Sequence, residues 1–176
     1  MLKQYTVPFS GLKLGKHHFT FEVDKAFFDE FEYSLVKSGE LHVELDLDKQ
    51  ETMMILDFKI KGSVNLTCDR CLGEYPQQML AEDRLIAKFS EDKELEDDTE
   101  EVVVLTKNDV EIDLSGFIYE MITLAVPYIN VCENSGGLAT CDEEMIAKLK
   151  ELSVNEEDGT EKTDPRWEAL RNIKNN

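Results

Sequence analysis

Two adjacent runs of strict alternation limit what this chain can fold into. From Glu40 to Leu47 polar and apolar residues alternate, placing Leu41, Val43, Leu45 and Leu47 on one side. After the turn residues Asp48-Lys49-Gln50, the segment Thr52 to Lys61 repeats the pattern with Met54, Leu56, Phe58 and Ile60. A period of two is the signature of a strand with one buried and one wet face. Two such runs joined by a short polar turn predict an antiparallel pair.

The neighbouring segments extend this sheet. Tyr5 to Pro8 reads as a short extended stretch, and His17 to Val23 as a strand with Phe19, Phe21 and Val23 on one face. Asp24 is placed to cap a short helix over Lys25 to Leu35. Gly62 breaks the second alternating run, and Ser63 to Cys68 continues extended. Glu74 to Phe89 returns to a strand pattern and Val102 to Leu105 is a short apolar strand. A helix follows over 114–126. Asp113 or Ser115 can cap it, and Leu114, Phe117, Met121 and Leu124 form its apolar stripe, widened by Ile118, Ile122 and Ala125. Pro127 stops it. Glu120 is the polar exception in that run. Glu143 to Leu152 is a further short helix, Ser153 to Thr163 a polar linker, and Asp164-Pro165 opens a last helix that can dock through Trp167, Leu170 and Ile173. The expected fold is α+β: an antiparallel, partly curved sheet with a packed helix and peripheral C-terminal helices. Residues 1–152 form one strand-rich domain with a cysteine-bearing hairpin, and 153–176 form a linker and docking helix.

Charge narrows the function. The chain carries 38 acidic and 19 basic residues, a net charge of −19. Nucleic-acid affinity rests on Lys and Arg displacing counterions, so non-specific RNA binding is disfavoured. An acidic surface instead attracts a basic protein partner. Glu91 to Glu101 holds eight acidic residues in eleven and reads as a solvated loop. The N-terminus lacks an apolar signal region and no stretch is long enough to span a membrane. The expected location is cytoplasmic, where cysteines stay reduced unless bound to metal.

The chemistry-bearing motif is Cys68-Asp69-Arg70-Cys71-Leu72-Gly73. Thiols with a two-residue gap can share a metal ion or a disulfide. Cys132 and Cys141 can complete a tetrathiolate zinc site if the fold closes the separation of some sixty residues. A redox pair is the rival, but such pairs favour a helix N-terminus, and here a strand precedes. The plainest reading is a hairpin tip with two inert cysteines. His17, His18 and His42 share no metal spacing. No Ser-His-Asp signature, phosphate-binding loop or dinucleotide fingerprint occurs, so the chain reads as non-enzymatic.

Several segments together resemble the YceD family of large ribosomal RNA subunit accumulation proteins. They are Cys68-Asp69-Arg70-Cys71-Leu72; Ile112-Asp113-Leu114 with Glu120 and Ile122-Thr123-Leu124-Ala125-Val126-Pro127; Cys132; and Asp164-Pro165-Arg166-Trp167-Glu168-Ala169-Leu170. They cover about the C-terminal two thirds. The resemblance departs at the second cysteine group: Gly137-Leu138 is present, but Ala139 stands where relatives often have a cysteine. It implies a role in ribosome biogenesis through accumulation of large-subunit ribosomal RNA. With the charge, this suggests binding of a basic ribosomal protein or large-subunit assembly intermediate, with Arg70, Glu120 and Trp167 as the first partner-binding candidates. The alternatives are a direct ribosomal RNA binder, or a small zinc or thiol protein.

Overall fold

The computed structural model describes residues 3–90, 102–106 and 108–153. The chain divides into two compact units, 1–141 and 142–176. In the first, strands β1 (Thr6–Val7), β2 (Gly15–Val23), β3 (Ser38–Lys49), β4 (Met53–Thr67), β5 (Glu74–Phe89), β6 (Val102–Leu105) and β7 (Ile112–Asp113) are joined by two helices, α1 (Lys25–Asp29) and α2 (Ser115–Leu124). The main sheet has the order β2-β3-β4-β5-β6, and β1 and β7 form a separate antiparallel pair.

The alternating runs become β3 and β4, paired from Ser38↔Asn65 to Lys49↔Met54. Their apolar residues point to one face, where Leu41, Val43, Leu45, Leu47, Met54, Leu56 and Ile60 are almost wholly buried. That face is covered by Phe27 and Phe28 of α1, Ile118, Met121 and Ile122 of α2, and Tyr5, Val7, Ile112 and Leu114 from the β1–β7 region. Rings knit these layers: Phe58 meets Phe117 at 5.0 Å, and Phe31 stacks on Tyr119 at 4.0 Å between centroids. The opposite face is wet and its charges pair across strands, as in Asp57–Arg84 at 2.6 Å and Lys59–Glu82.

Four expectations are revised. The sheet is mixed, because β6 runs parallel to β5. The connection 90–101 has about the dozen residues that a parallel crossover needs, a length that a polar loop assignment does not reveal. Gly62 does not break its strand: β4 continues through it to Thr67. It faces the core between Leu41 and Met79 with φ +150°, and a Cβ there would lie 2.2 Å from the Glu40 carbonyl oxygen. Glycine is present for close approach of the two backbones rather than for a turn. Helix α1 is capped by Asp24 but stops at Asp29 rather than Leu35. In α2 the buried stripe is Ile118, Met121 and Ile122, while Leu124 is 80% exposed.

In the second unit, α3 (Glu143–Leu152) starts where the Asp142 carboxylate accepts the amides of Glu144 and Met145. The expected last helix, with Trp167, lies outside the described residues, as does the acidic run Glu91–Glu101.

Candidate metal centre

The site is built at the tip of the β4–β5 hairpin. Cys68 follows β4 directly, and two residues, Leu72 and Gly73, separate Cys71 from β5. The turn is closed by hydrogen bonds from the Cys68 amide to the Gly73 carbonyl (2.8 Å) and from the Leu72 amide to the Cys68 carbonyl (2.9 Å). Leu72 takes up φ +61°, a conformation unusual for a branched side chain, and projects into solvent.

A second loop is fastened against this tip. The Asp69 amide donates to the Asn130 carbonyl at 2.7 Å, and the Asn130 amide returns a bond to the Asp69 carboxylate at 2.7 Å. Arg70 Nη1 donates to Glu133 Oε1, also at 2.7 Å. Cys132 then begins a 3-10 turn to Ser135, which ends in the left-handed Gly136. Buried Ser135 accepts the Ala139 amide on its Oγ at 2.9 Å. That bond folds the segment back so that Cys141 returns to the site.

The four sulfurs converge. Cys71 Sγ lies 3.7 Å from Cys132 Sγ, and Cys68 Sγ lies 3.9 Å from Cys141 Sγ. All four lie within 4.8 Å of one another, and all are free thiols. Thiolates bound tetrahedrally at about 2.3 Å around one ion are about 3.8 Å apart. The donor set therefore fits a tetrahedral, thiophilic metal with every position supplied by protein. Among the described residues this is the one group of His, Cys, Asp and Glu side chains placed to hold a metal.

The electrostatics agree. Burial opposes ionisation of Cys68, but the backbone amides of Cys71, Arg70 and Cys132 outweigh it and hold this thiol down to about 6. Cys132 is pushed up to about 12, by burial first and then by hydrogen bonding with the other three sulfurs. Burial likewise raises Cys141. Burial thus opposes negative charge on Cys132 and Cys141, a cost that a bound cation offsets. Buried Tyr75 lies beside the cluster, its phenol raised by burial and by the nearby Cys68 and Asp69 charges.

The structure thus brings together Cys68, Cys71, Cys132 and Cys141, and the inert hairpin tip gives way to a four-thiol cluster. Arg70 is half exposed and lashes the two loops together. Glu120 is exposed on α2. The three histidines lie on β2 and β3, where His18 and His42 bond Asp46 and Glu22. Sequence reasoning missed Asp69, Asn130 and Ser135. The usable signal was an Asp inside the Cys-x-x-Cys turn, whose carboxylate needs amide donors, and an Asn two residues before Cys132.

A depression of about 510 Å³ on the wet face of the sheet is lined by Glu44, Asp46, Asp57, Lys59, Glu82 and Arg84. Its Asp57–Arg84 and Lys59–Glu82 groups are paired with each other, so they do not converge on a reacting atom. No described helix is long and apolar enough to cross a membrane.

The family model for the large ribosomal RNA subunit accumulation protein YceD matches residues 56–174, about two thirds of the chain. The chain belongs to the YceD family. The matched region starts within β4 and takes in all four cysteines of this YceD chain. The family's description names accumulation of the large ribosomal RNA subunit. No curated protein and no solved structure matches the chain significantly.

Proposed function

We propose that this YceD protein is a non-enzymatic cytoplasmic factor for large-subunit ribosomal RNA accumulation, and that a zinc ion held by Cys68, Cys71, Cys132 and Cys141 fixes the shape of its hairpin tip. The observation that carries the metal reading is the convergence of four thiols from two distant segments. Zinc bound by four thiolates is closed to substrate and serves structure rather than catalysis. When bound, it supplies charge neutralisation and a cross-link between the two loops.

The partner in this reading is a basic ribosomal protein or a large-subunit assembly intermediate. The net charge of −19 supports it, since such a surface steers cationic proteins and repels phosphate backbones. Exposed Arg70 and Glu120 are contact candidates, and Trp167 in the C-terminal segment 153–176 is a third. Arg70 sits at the tip that the metal would rigidify, which links the cysteine cluster to binding.

The test has two parts. Metal analysis of full-length protein purified without chelator should give one zinc per chain, lost in a Cys71→Ser/Cys132→Ser variant. Purified large-subunit ribosomal proteins should bind the chain, with Arg70→Ala and Glu120→Ala weakening the complex. Absence of zinc removes the metal reading. Tight binding to ribosomal RNA alone, weakening steeply with salt, replaces the protein partner with RNA.

A further inference from the structure

We propose that the free edge of β2 pairs with the same edge of a second copy, antiparallel about Phe19, joining two main sheets into one. The order of the sheet leaves β2 with a neighbour on one side only. It is nine residues long and regular, without the proline, bulge or shortness that usually guards an edge. Among the described residues no backbone hydrogen bond reaches this edge from outside the sheet. One side chain does: the Tyr5 hydroxyl donates to the Glu22 carbonyl at 2.7 Å, so the open main-chain groups of this edge are those of Lys16, His18 and Thr20, and Glu22 is left to pair through its side chain.

That bond reveals which groups point outward. Backbone groups alternate along an antiparallel strand between the partner and the opposite side. With the Glu22 carbonyl outward, Lys16, His18 and Thr20 also direct their backbone groups away from β3. A second β2 must therefore place these even-numbered residues opposite even-numbered ones.

Centring the pair on Phe19 meets this condition and matches the side chains. Lys16 then faces Glu22 of the other copy, His18 faces Thr20, His17 faces Phe21, and Phe19 faces its own counterpart. Symmetry gives two Lys–Glu pairs at the ends and an aromatic pair at the centre, both favourable across strands. Glu22 already bonds the His42 ring through Oε1 at 2.6 Å, and its second oxygen is available to lysine. Lys16 is exposed.

Burial points the same way. Phe19 and Phe21 lie on the core side with fully buried Val23 but stay partly exposed, Phe21 with the Tyr5 ring against it at 5.9 Å. A second copy covers both. Lys13, Lys16 and the two histidines keep this edge from sharing the acidity of the whole chain. Repulsion between more distant charges is screened over about 8 Å at physiological salt. Self-complementarity in length, parity and charge marks a second copy, rather than a foreign strand, as the occupant.

Sedimentation of the full chain across the micromolar range should show a reversible dimer. Lys16→Glu and Glu22→Lys should each weaken it about tenfold, from two symmetric like-charged pairs. The double variant should recover it, and an equal mixture of the two single variants should form a heterodimer. Thr20→Pro, whose lost N–H faces outward, should give a monomer with an unchanged far-ultraviolet spectrum and the melting point that the wild-type chain has when diluted to monomer. A chain monomeric at every concentration overturns the proposal, including the case in which a different protein supplies the strand. So does a dimer indifferent to the charge reversals.

Discussion

Removing the proposed zinc ion from the cysteine cluster should open one loop and leave the sheet intact. Apart from metal, the hairpin tip and the 128–141 segment are joined by few polar links. The Asp69 amide bond to the Asn130 carbonyl is a neutral hydrogen bond, and the Asn130 amide bond to the Asp69 carboxylate is charge-assisted. The Arg70–Glu133 pair is exposed and contributes little. Together these stabilise the closed loop by about 3–4 kcal/mol. Holding the backbone of each ordered residue costs about 1 kcal/mol or more, which over the loop exceeds that sum. A tetrathiolate zinc site contributes about 10–16 kcal/mol and reverses the balance. The assay is amide hydrogen exchange with and without a strong zinc chelator. Amides of the 128–141 segment, with those of Cys68, Asp69 and Leu72, should lose about a thousandfold or more in protection. Amides of β3 and β4, anchored by Val43, Leu45, Leu56 and Ile60, should keep theirs. Full protection of the 128–141 segment in protein shown to be metal-free would refute a metal-held loop.

Other substitutions test the remaining elements. Gly62→Ala should destabilise the sheet by about 3 kcal/mol or more in urea unfolding, because its Cβ meets the Glu40 carbonyl and the Leu41 backbone at a positive φ. Asp69→Ala should cost about 1 kcal/mol by removing an exposed hydrogen bond to the Asn130 amide, and should accelerate zinc loss to a chelator. Arg70→Ala should change stability by about 1 kcal/mol or less, since its pair is exposed; a strong effect on partner binding then reports a contact rather than a fold defect. The Glu82 carboxyl is held below its usual range by its hydrogen bond to Lys59 and then by the charge of that lysine. Its contribution is present above the unfolded value and lost as pH falls through the lowered folded one. Glu82→Gln should make the acid limb of the stability–pH curve slightly shallower.

The sheet was legible in the sequence because one buried face imposes period two. Leu41 to Leu47 and Met54 to Ile60 carry that pattern, and β5 and α3 occur with the expected boundaries. What the pattern does not encode is strand direction, so the parallel pairing of β6 became visible only in three dimensions. Gly62 misled for a related reason: glycine marks both a break and a close backbone approach, and the distinction depends on Leu41 of a neighbouring strand. In α2 the helical spacing identified the helix but not its rotation, which Ile118 and Ile122 decide by packing on the sheet. At the candidate site the Cys-x-x-Cys turn announced itself. Its union with Cys132 and Cys141 did not, because it depends on Asp69, Asn130 and Ser135 and on bonds spanning some sixty residues. Arg70 was noticed as a contact candidate, and the fold gives it a second task in bracing the two loops.

The amount of large-subunit ribosomal RNA relative to small-subunit ribosomal RNA, in cells depleted of this protein, bears most directly on its role. The ratio should fall on depletion, recover with the wild-type chain, and stay low with Cys71→Ser/Cys132→Ser expressed to the same level. A ratio unmoved by depletion would contradict the assignment to large-subunit assembly, and full recovery with the cysteine variant would detach that role from the metal centre.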